Sequence, residues 1–144
     1  LESNRHGKAI AWLDRFDLID KTPMPDDAIK NKCQRHFSLI TAYMPFMILD
    51  IKKQAVRGNA IDALAIYHGF MNRLAALINI RYRPAKFDFG LRYYYRDLPQ
   101  EVVAFVEESL FIRSLEELSE KLESAVSFYQ NLVVELSEQL DIDT

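Results

Sequence analysis

The segment 81–96 carries the residue types best suited to binding a negatively charged ligand. Five cationic side chains alternate there with six aromatic ones: Arg81, Arg83, Lys86, Arg92 and Arg96, with Tyr82, Phe87, Phe89, Tyr93, Tyr94 and Tyr95. Guanidinium groups bind phosphate or carboxylate in bidentate fashion, and aromatic faces stack on bases or sugars. We therefore predict a substrate- or phosphate-binding site formed by Arg81, Tyr82, Arg83, Lys86, Arg92 and Tyr93. The alternative is a loop whose aromatic side chains anchor it to the core while its cations stay solvated.

Three polar residues of the preceding segment, His68, Asn72 and Asn79, are candidates for lining a pocket. The periodicity puts His68 on an apolar stripe with Ile61, Leu64, Ala65, Met71, Ala75, Ile78 and Tyr82. A polar group on such a stripe either faces a binding pocket or is a core residue with hydrogen bonds to neighbouring helices. Both interpretations remain open at the level of sequence.

No motif for metal binding or catalysis is found. His6, His36 and His68 are far apart, and the Glu-x-x-His pattern of di-iron bundles is absent. The sequence also lacks a P-loop, a dinucleotide-binding glycine pattern and a nucleophile elbow. The Arg–His spacing of helical toxin nucleases has only Asn31–His36 as its nearest approximation, without the Arg. We therefore predict no catalytic residue, metal or cofactor in this chain, and an independent enzyme built on His68 is the least favoured hypothesis.

The elements that must position these residues are predicted to be helices. Apolar residues recur every three or four positions in four segments: 26–57, 59–82, 99–110 and 114–140. Pro45 predicts a kink or break near residues 42–43, and Ser114 with Glu117 forms a capping box. The predicted fold is all-α, a four- or five-helix up-and-down bundle with a short N-terminal extended lead-in. Residues 1–25 are then a lead-in or linker from a missing N-terminal domain, with a strand-like part at 9–19, and residues 26–144 are the bundle domain.

The last predicted helix has the widest apolar surface. Its seam alternates four- and three-residue steps, and further apolar residues lie beside it: Val126, Phe128, Val133 and Val134. Because a stripe this wide exceeds what one intramolecular groove usually covers, we predict that this helix contributes to a two-fold homodimer.

Composition restricts the partners and the compartment. Cys33 is the only cysteine, which favours a reducing, cytoplasmic location, and no apolar run is long enough to cross a membrane. The net charge of −3 is uneven, since residues 100–144 carry eleven acidic and two basic side chains. Residues 79–99 carry five basic and two acidic ones. The acidic end argues against a nucleic-acid surface on the last helix, whereas the short basic stretch suits an anion.

Three groups of residues together carry a resemblance to a known family. Arg57-Gly58-Asn59 joins two predicted helices, with Asp62-Ala63 just inside the second, and that helix ends Asn79-Ile80-Arg81-Tyr82-Arg83-Pro84, followed by Lys86-Phe87. Tyr95-Arg96-Asp97-Leu98-Pro99 then precedes the closing helices. Over about residues 30–140 the arrangement resembles the C-terminal helical domain of bacterial nucleotidyltransferases of the polymerase-β superfamily, the kind related to aminoglycoside nucleotidyltransferases. Ile80 stands where many of those domains have Arg.

The resemblance implies an accessory substrate-binding and dimerisation domain that is not catalytic alone. In that family the catalytic carboxylates lie in a separate N-terminal domain, on a Gly-Ser loop followed by Asp-x-Asp; Asp141 and Asp143 follow a helix instead. Its implied partners are an N-terminal nucleotidyltransferase domain and a small-molecule acceptor or nucleotide, and Mg²⁺ and nucleoside triphosphate would belong to the parent enzyme. Residue 1 is Leu rather than Met, as expected of an excised domain. The alternative is a stand-alone helical interaction module of toxin–antitoxin type.

Overall fold

A computed structural model describes residues 3–6 and 22–142, and within these residues the chain is helical with no strand. The helices are α1 (Ser3–His6), α2 (Asp26–Val56), α3 (Ala60–Tyr82), α4 (Tyr94–Asp97), α5 (Gln100–Leu110) and α6 (Leu115–Leu140), with a 3₁₀ turn at Pro84–Lys86. The predicted all-α bundle is confirmed. The strand-like segment 9–19 lies outside the described residues. None of the described helices combines the length and apolar character that crossing a bilayer needs.

Helix α2 follows Pro25 and runs for 31 residues without a break. Asp26 and Asp27 lie in its first turn, where carboxylates interact favourably with the helix dipole, and Pro25 is the N-cap residue. Pro45 lies within the helix, so the break predicted near residues 42–43 is not present. The helix ends before Gly58, which has φ +75°, a conformation that glycine adopts without steric cost.

Helix α3 is the centre of the bundle. Seven consecutive residues, 74–80, are buried, because α2, α6 and the segment after α3 cover this end of the helix from different sides. Tyr67 is also fully buried, and its hydroxyl donates a hydrogen bond to the Ser109 carbonyl in α5 over 2.9 Å. The burial raises the pKa of Tyr67 to about 12, so the phenol keeps its proton.

Helix α6 begins with the predicted cap. The Ser114 hydroxyl accepts a hydrogen bond from the Glu117 amide at 3.2 Å. The Glu117 carboxylate reaches back to the Arg113 amide at 2.8 Å, one residue earlier than the standard capping box. Two otherwise unpaired amides at the helix start are thereby satisfied.

The wide apolar surface of α6 is largely covered within the chain. Phe128 stacks on Phe105 of α5 with ring centroids 4.2 Å apart. Val126 and Val133 pack against the core and are half-buried, which leaves Val134 exposed. Much of this stripe is thus covered within one chain, because α5 lies against it, which the sequence pattern did not show. The two-fold homodimer stays a prediction.

Candidate functional site

The predicted basic segment is organised around one carboxylate, Asp97 at the end of α4. It accepts hydrogen bonds from Lys86 Nζ at 2.6 Å, Arg96 Nε at 2.7 Å and Arg83 Nη1 at 3.1 Å. The hydrogen bond from Arg96, followed by that from Lys86, holds the pKa of Asp97 far below its ordinary range. Asp97 thus occupies the position among these cations that an external anion would otherwise take.

Arg83 is a buried structural residue. Its Nε donates to Asn79 Oδ1 at 2.9 Å, and its Nη2 donates to the Gly90 carbonyl at 3.2 Å. Asn79 Nδ2 donates to the same carbonyl at 2.9 Å. The guanidinium also lies 5.0 Å from the centre of the Tyr94 ring. These contacts anchor the loop after α3 to the end of α3, so Arg83 has little capacity left for a ligand.

Tyr94 attaches the same segment to the middle of α3. Its buried hydroxyl donates to the Ala75 carbonyl at 2.8 Å, and burial raises the pKa of this phenol. Tyr93, one residue earlier, has φ +65°, which is uncommon for a residue with a side chain. This backbone conformation is where the chain turns into α4, with Tyr94 buried and Tyr93 half-exposed.

The remaining predicted ligand-binding residues lie on the surface in two groups. Arg81 pairs with Glu135 of α6 at 2.9 Å and stands over the ring of Tyr82. Arg92 and Tyr93 both contact Phe89, with the Arg92 guanidinium 5.3 Å from its ring centre. The structure therefore brings Asn79, Arg83 and Lys86 into one network, and it separates Arg81 and Tyr82 from the Arg92–Tyr93 surface.

The structure does not bring His68, Asn72 and Asn79, the predicted pocket-lining residues, into one place. Both are exposed on α3 and line none of its described cavities, whereas Asn79 is fully buried. Tyr67 and Met71, one position earlier in each case, take the inward positions. Spacing put His68 on the inward side because the apolar stripe of this helix is so wide that its centre could not be located from sequence.

A row of four exposed apolar side chains lies on α2 and was not predicted. Leu39, Tyr43, Phe46 and Leu49 are 63%, 52%, 67% and 66% exposed. Three- and four-residue spacing puts them along the side of α2 that faces away from the core. A signal was present in the sequence, since the apolar residues Leu39, Tyr43 and Phe46 repeat at this spacing beside the core-facing set. We call the row of four apolar side chains the α2 outer face.

A groove between α2 and α3 continues this face. Its volume is about 560 Å³, and Tyr43, Phe46, Leu49, Asp50 and Lys53 line it from α2. From α3 it is lined by Ala65, Ile66, Gly69 and Arg73. The small residues at 65 and 69 leave the groove open.

Two contacts set the shape of this groove. A methyl group at Gly69 would lie 3.1 Å from the Met47 methyl group, so glycine lets Met47 form the floor. The Arg73 guanidinium lies 5.1 Å from the centre of the Tyr43 ring and shapes one end of the groove.

No cluster of His, Cys, Asp or Glu able to hold a metal ion occurs in residues 3–6 and 22–142. Cys33 is buried, and desolvation raises the pKa of its thiol to about 11, which suits a core residue and not a nucleophile. Comparison with known proteins gives no match: no family model fits the sequence, and no curated protein or solved structure is significantly similar to it.

Proposed function

We propose that this chain is a non-catalytic binding domain that acts by docking a helical segment of another protein on the α2 outer face. The observation that carries the proposal is the row of four large apolar side chains, each more than half exposed. Burying such a side chain is worth roughly 1.5–3 kcal/mol, so a partner that covers the row gains several kcal/mol. Contiguous exposed apolar surface of this kind marks interaction sites in folded proteins.

The test of this proposal separates binding from folding. Phe46→Ser and Leu49→Ser together remove the centre of the face, while Val134→Ser makes a matched change at an exposed valine of α6. Helical peptides with an apolar stripe should bind wild type and Val134→Ser equally and bind the double variant at least about tenfold more weakly, the equivalent of about 1.4 kcal/mol. Equal binding to all three proteins contradicts the proposal.

We consider two biological settings for a domain that docks a helix. In the first, supported by the family resemblance alone, the chain is the accessory domain of a nucleotidyltransferase and its partner is the catalytic N-terminal domain, where Mg²⁺ and nucleoside triphosphate bind. In the second, the chain is a stand-alone interaction module of toxin–antitoxin type. Adding a purified catalytic domain encoded upstream of this chain distinguishes them, since only the first setting predicts binding that depends on Phe46.

The accessory setting also predicts that the purified chain transfers no nucleotide. Transfer needs a divalent metal held by convergent carboxylates, and Asp97, the carboxylate at the centre of the basic segment, is paired with three cations. Magnesium-dependent transfer from any nucleoside triphosphate by the purified chain would exclude this setting.

A second candidate function is anion binding at the basic segment 81–96, which the positive charge of this segment favours. Three cations surround the single charge of Asp97, and Arg92, which lies against Phe89, has no acidic partner in the described contacts. Because Arg83 is buried, its replacement would disturb the fold, so the informative change is Arg92→Ala with Arg96→Ala. Phosphate or nucleotide binding should fall at least about fivefold in this variant and stay unchanged in the surface control Arg113→Ala. Equal binding by both variants would assign the segment a purely structural role.

A further inference from the structure

Basic residues lie at both ends of the α2 outer face, and their positions indicate the chemistry of a partner. Its apolar centre spans positions 39–49, and the same side of the helix carries Lys32 and Arg35 before this centre and Lys53 and Arg57 after it. Asp50 is the one acidic residue of α2 between Asp27 and its end, and it pairs with Lys53 at 3.1 Å. Both ends of the face therefore carry an excess of positive charge, and the α2 residues 39–49 between them are uncharged. Arg73 of α3 lies against Tyr43 beside this stretch.

We infer that the occupant of this face is an amphipathic helix of another protein whose apolar centre is flanked at both ends by acidic residues. The inference rests on the proposed function and specifies the chemistry of its partner. Positions 32–57 span about 38 Å at 1.5 Å per residue, so a helix of about 25 residues reaches both basic ends. Acidic side chains at its ends would face the cations whichever way the helix runs, and such pairs favour the correct partner and speed association.

A second copy of this chain fits the face less well. In an antiparallel pairing of two α2 helices centred between Tyr43 and Phe46, Lys32 faces Arg57 of the partner copy and Arg35 faces its Lys53. In a parallel pairing each cation faces its own counterpart. Like charges therefore meet at both ends in either arrangement, and such contacts disfavour the complex.

An anionic membrane is also a poorer fit. Amphipathic helices that lie on membranes carry their cations along the polar flanks of the apolar stripe, at the level of the headgroups. Here the cations continue the apolar row at its two ends, and Asp50 directly follows Leu49, the last residue of the row. The face also borders a groove rather than a flat surface, which suits the side chains of a helix.

The test uses three labelled 25-residue peptides with the same central row of Leu and Phe and with Glu, Gln or Lys at both ends. Fluorescence anisotropy with the full chain measures each affinity at about 50 mM and about 500 mM salt. The acidic peptide should bind at least about tenfold more tightly than the neutral one at low salt, and the lysine peptide should bind most weakly. The differences should shrink to less than about threefold at high salt, because exposed charges are then screened.

Two lysine variants test whether the charge dependence of peptide binding comes from the α2 outer face. Lys53→Gln should weaken binding of the acidic peptide by about threefold and leave the neutral peptide unaffected. Lys52→Gln is the matched control, since Lys52 is adjacent in sequence but borders the groove between α2 and α6. Equal losses in the two variants would overturn the assignment of the charges to this face.

The remaining outcomes distinguish the inference from the proposed function. Equal or tighter binding of the neutral or lysine peptide overturns the acidic partner but leaves docking on the α2 outer face standing. Absence of binding by all three peptides at millimolar concentration rejects the proposed function itself. Self-association in sedimentation that Phe46→Ser abolishes identifies a second copy as the occupant, and Phe46-dependent binding to phosphatidylserine vesicles identifies a lipid surface; either result overturns the inference.

Discussion

Replacing Asp97 with Asn tests the role of the carboxylate at the centre of the basic segment. The change keeps the shape of the side chain but removes the counter-ion of Arg83, whose side chain is only 7% exposed, while that of Asp97 is 14% exposed. Removing one partner of a buried ion pair costs about 3–5 kcal/mol. Since the Asn oxygen still accepts one hydrogen bond, we expect a loss of about 2–3 kcal/mol, a large part of a typical folding free energy.

Asp88→Asn is the matched control in the same segment. Asp88 also pairs with an arginine, Arg5, but its side chain is 46% exposed. Exposed pairs contribute about 0–1 kcal/mol, so this variant should lose less than about 1 kcal/mol. Urea unfolding followed by circular dichroism measures both variants. If Asp97→Asn loses no more than Asp88→Asn, the network does not hold the segment on α3.

The pH dependence provides an independent check of the same carboxylate. Because folding lowers the pKa of Asp97, its ionised form stabilises the folded protein fully above the unfolded-state pKa of about 3.9, and this contribution is lost as the pH falls below that value. The stability difference between wild type and Asp97→Asn should be constant from about pH 5 to 7 and shrink below about pH 4. A difference that grows on acidification would contradict the assigned direction.

Four further changes test the fold by urea unfolding. Ser114→Ala should destabilise the protein by about 1 kcal/mol, because the hydroxyl caps α6, and an unchanged midpoint would show that the cap contributes nothing. Gly58→Ala should cost about 1–2 kcal/mol from the positive φ alone, since nothing lies within 4 Å of the added methyl group; no loss would mean that the turn relaxes. Phe70→Ala in the core should cost about 3–5 kcal/mol, whereas Phe46→Ser should change stability by less than about 0.5 kcal/mol. Comparable losses at positions 46 and 70 would show that Phe46 is part of the core.

All four long helices were predictable from sequence, but the outer apolar face of α2 and the inward side of α3 were not. On α6, the cap at Ser114 and one dominant stripe define both the start and the buried side. On α2, apolar residues on the outer face alternate with buried ones such as Met44 and Met47, so the buried set alone was recognised. On α3, burial on all sides near residues 74–80 removes the periodicity that would distinguish Tyr67 from His68.

For the basic segment 81–96, the charged residues could be recognised from sequence, but their partners could not. Its cations were recognised by type, but their partners depend on contacts across the folded loop. Asp97 lies fourteen residues from Arg83 and eleven from Lys86, and no spacing rule links them. The short α4 turn, which begins after the left-handed Tyr93, brings the carboxylate to both. An acidic residue inside a cationic run was the available sign that the charges are paired internally.

The central claim, docking on the α2 outer face, is tested most directly by mapping a bound peptide with amide chemical shifts. The acid-flanked peptide should shift resonances of residues 39–53 in α2 and 65–73 in α3, and leave those of residues 81–96 unchanged. Saturation of these shifts in wild type, and their loss in Phe46→Ser with Leu49→Ser, is the predicted result. Shifts confined to residues 81–96, or no shifts at millimolar peptide, would contradict the account.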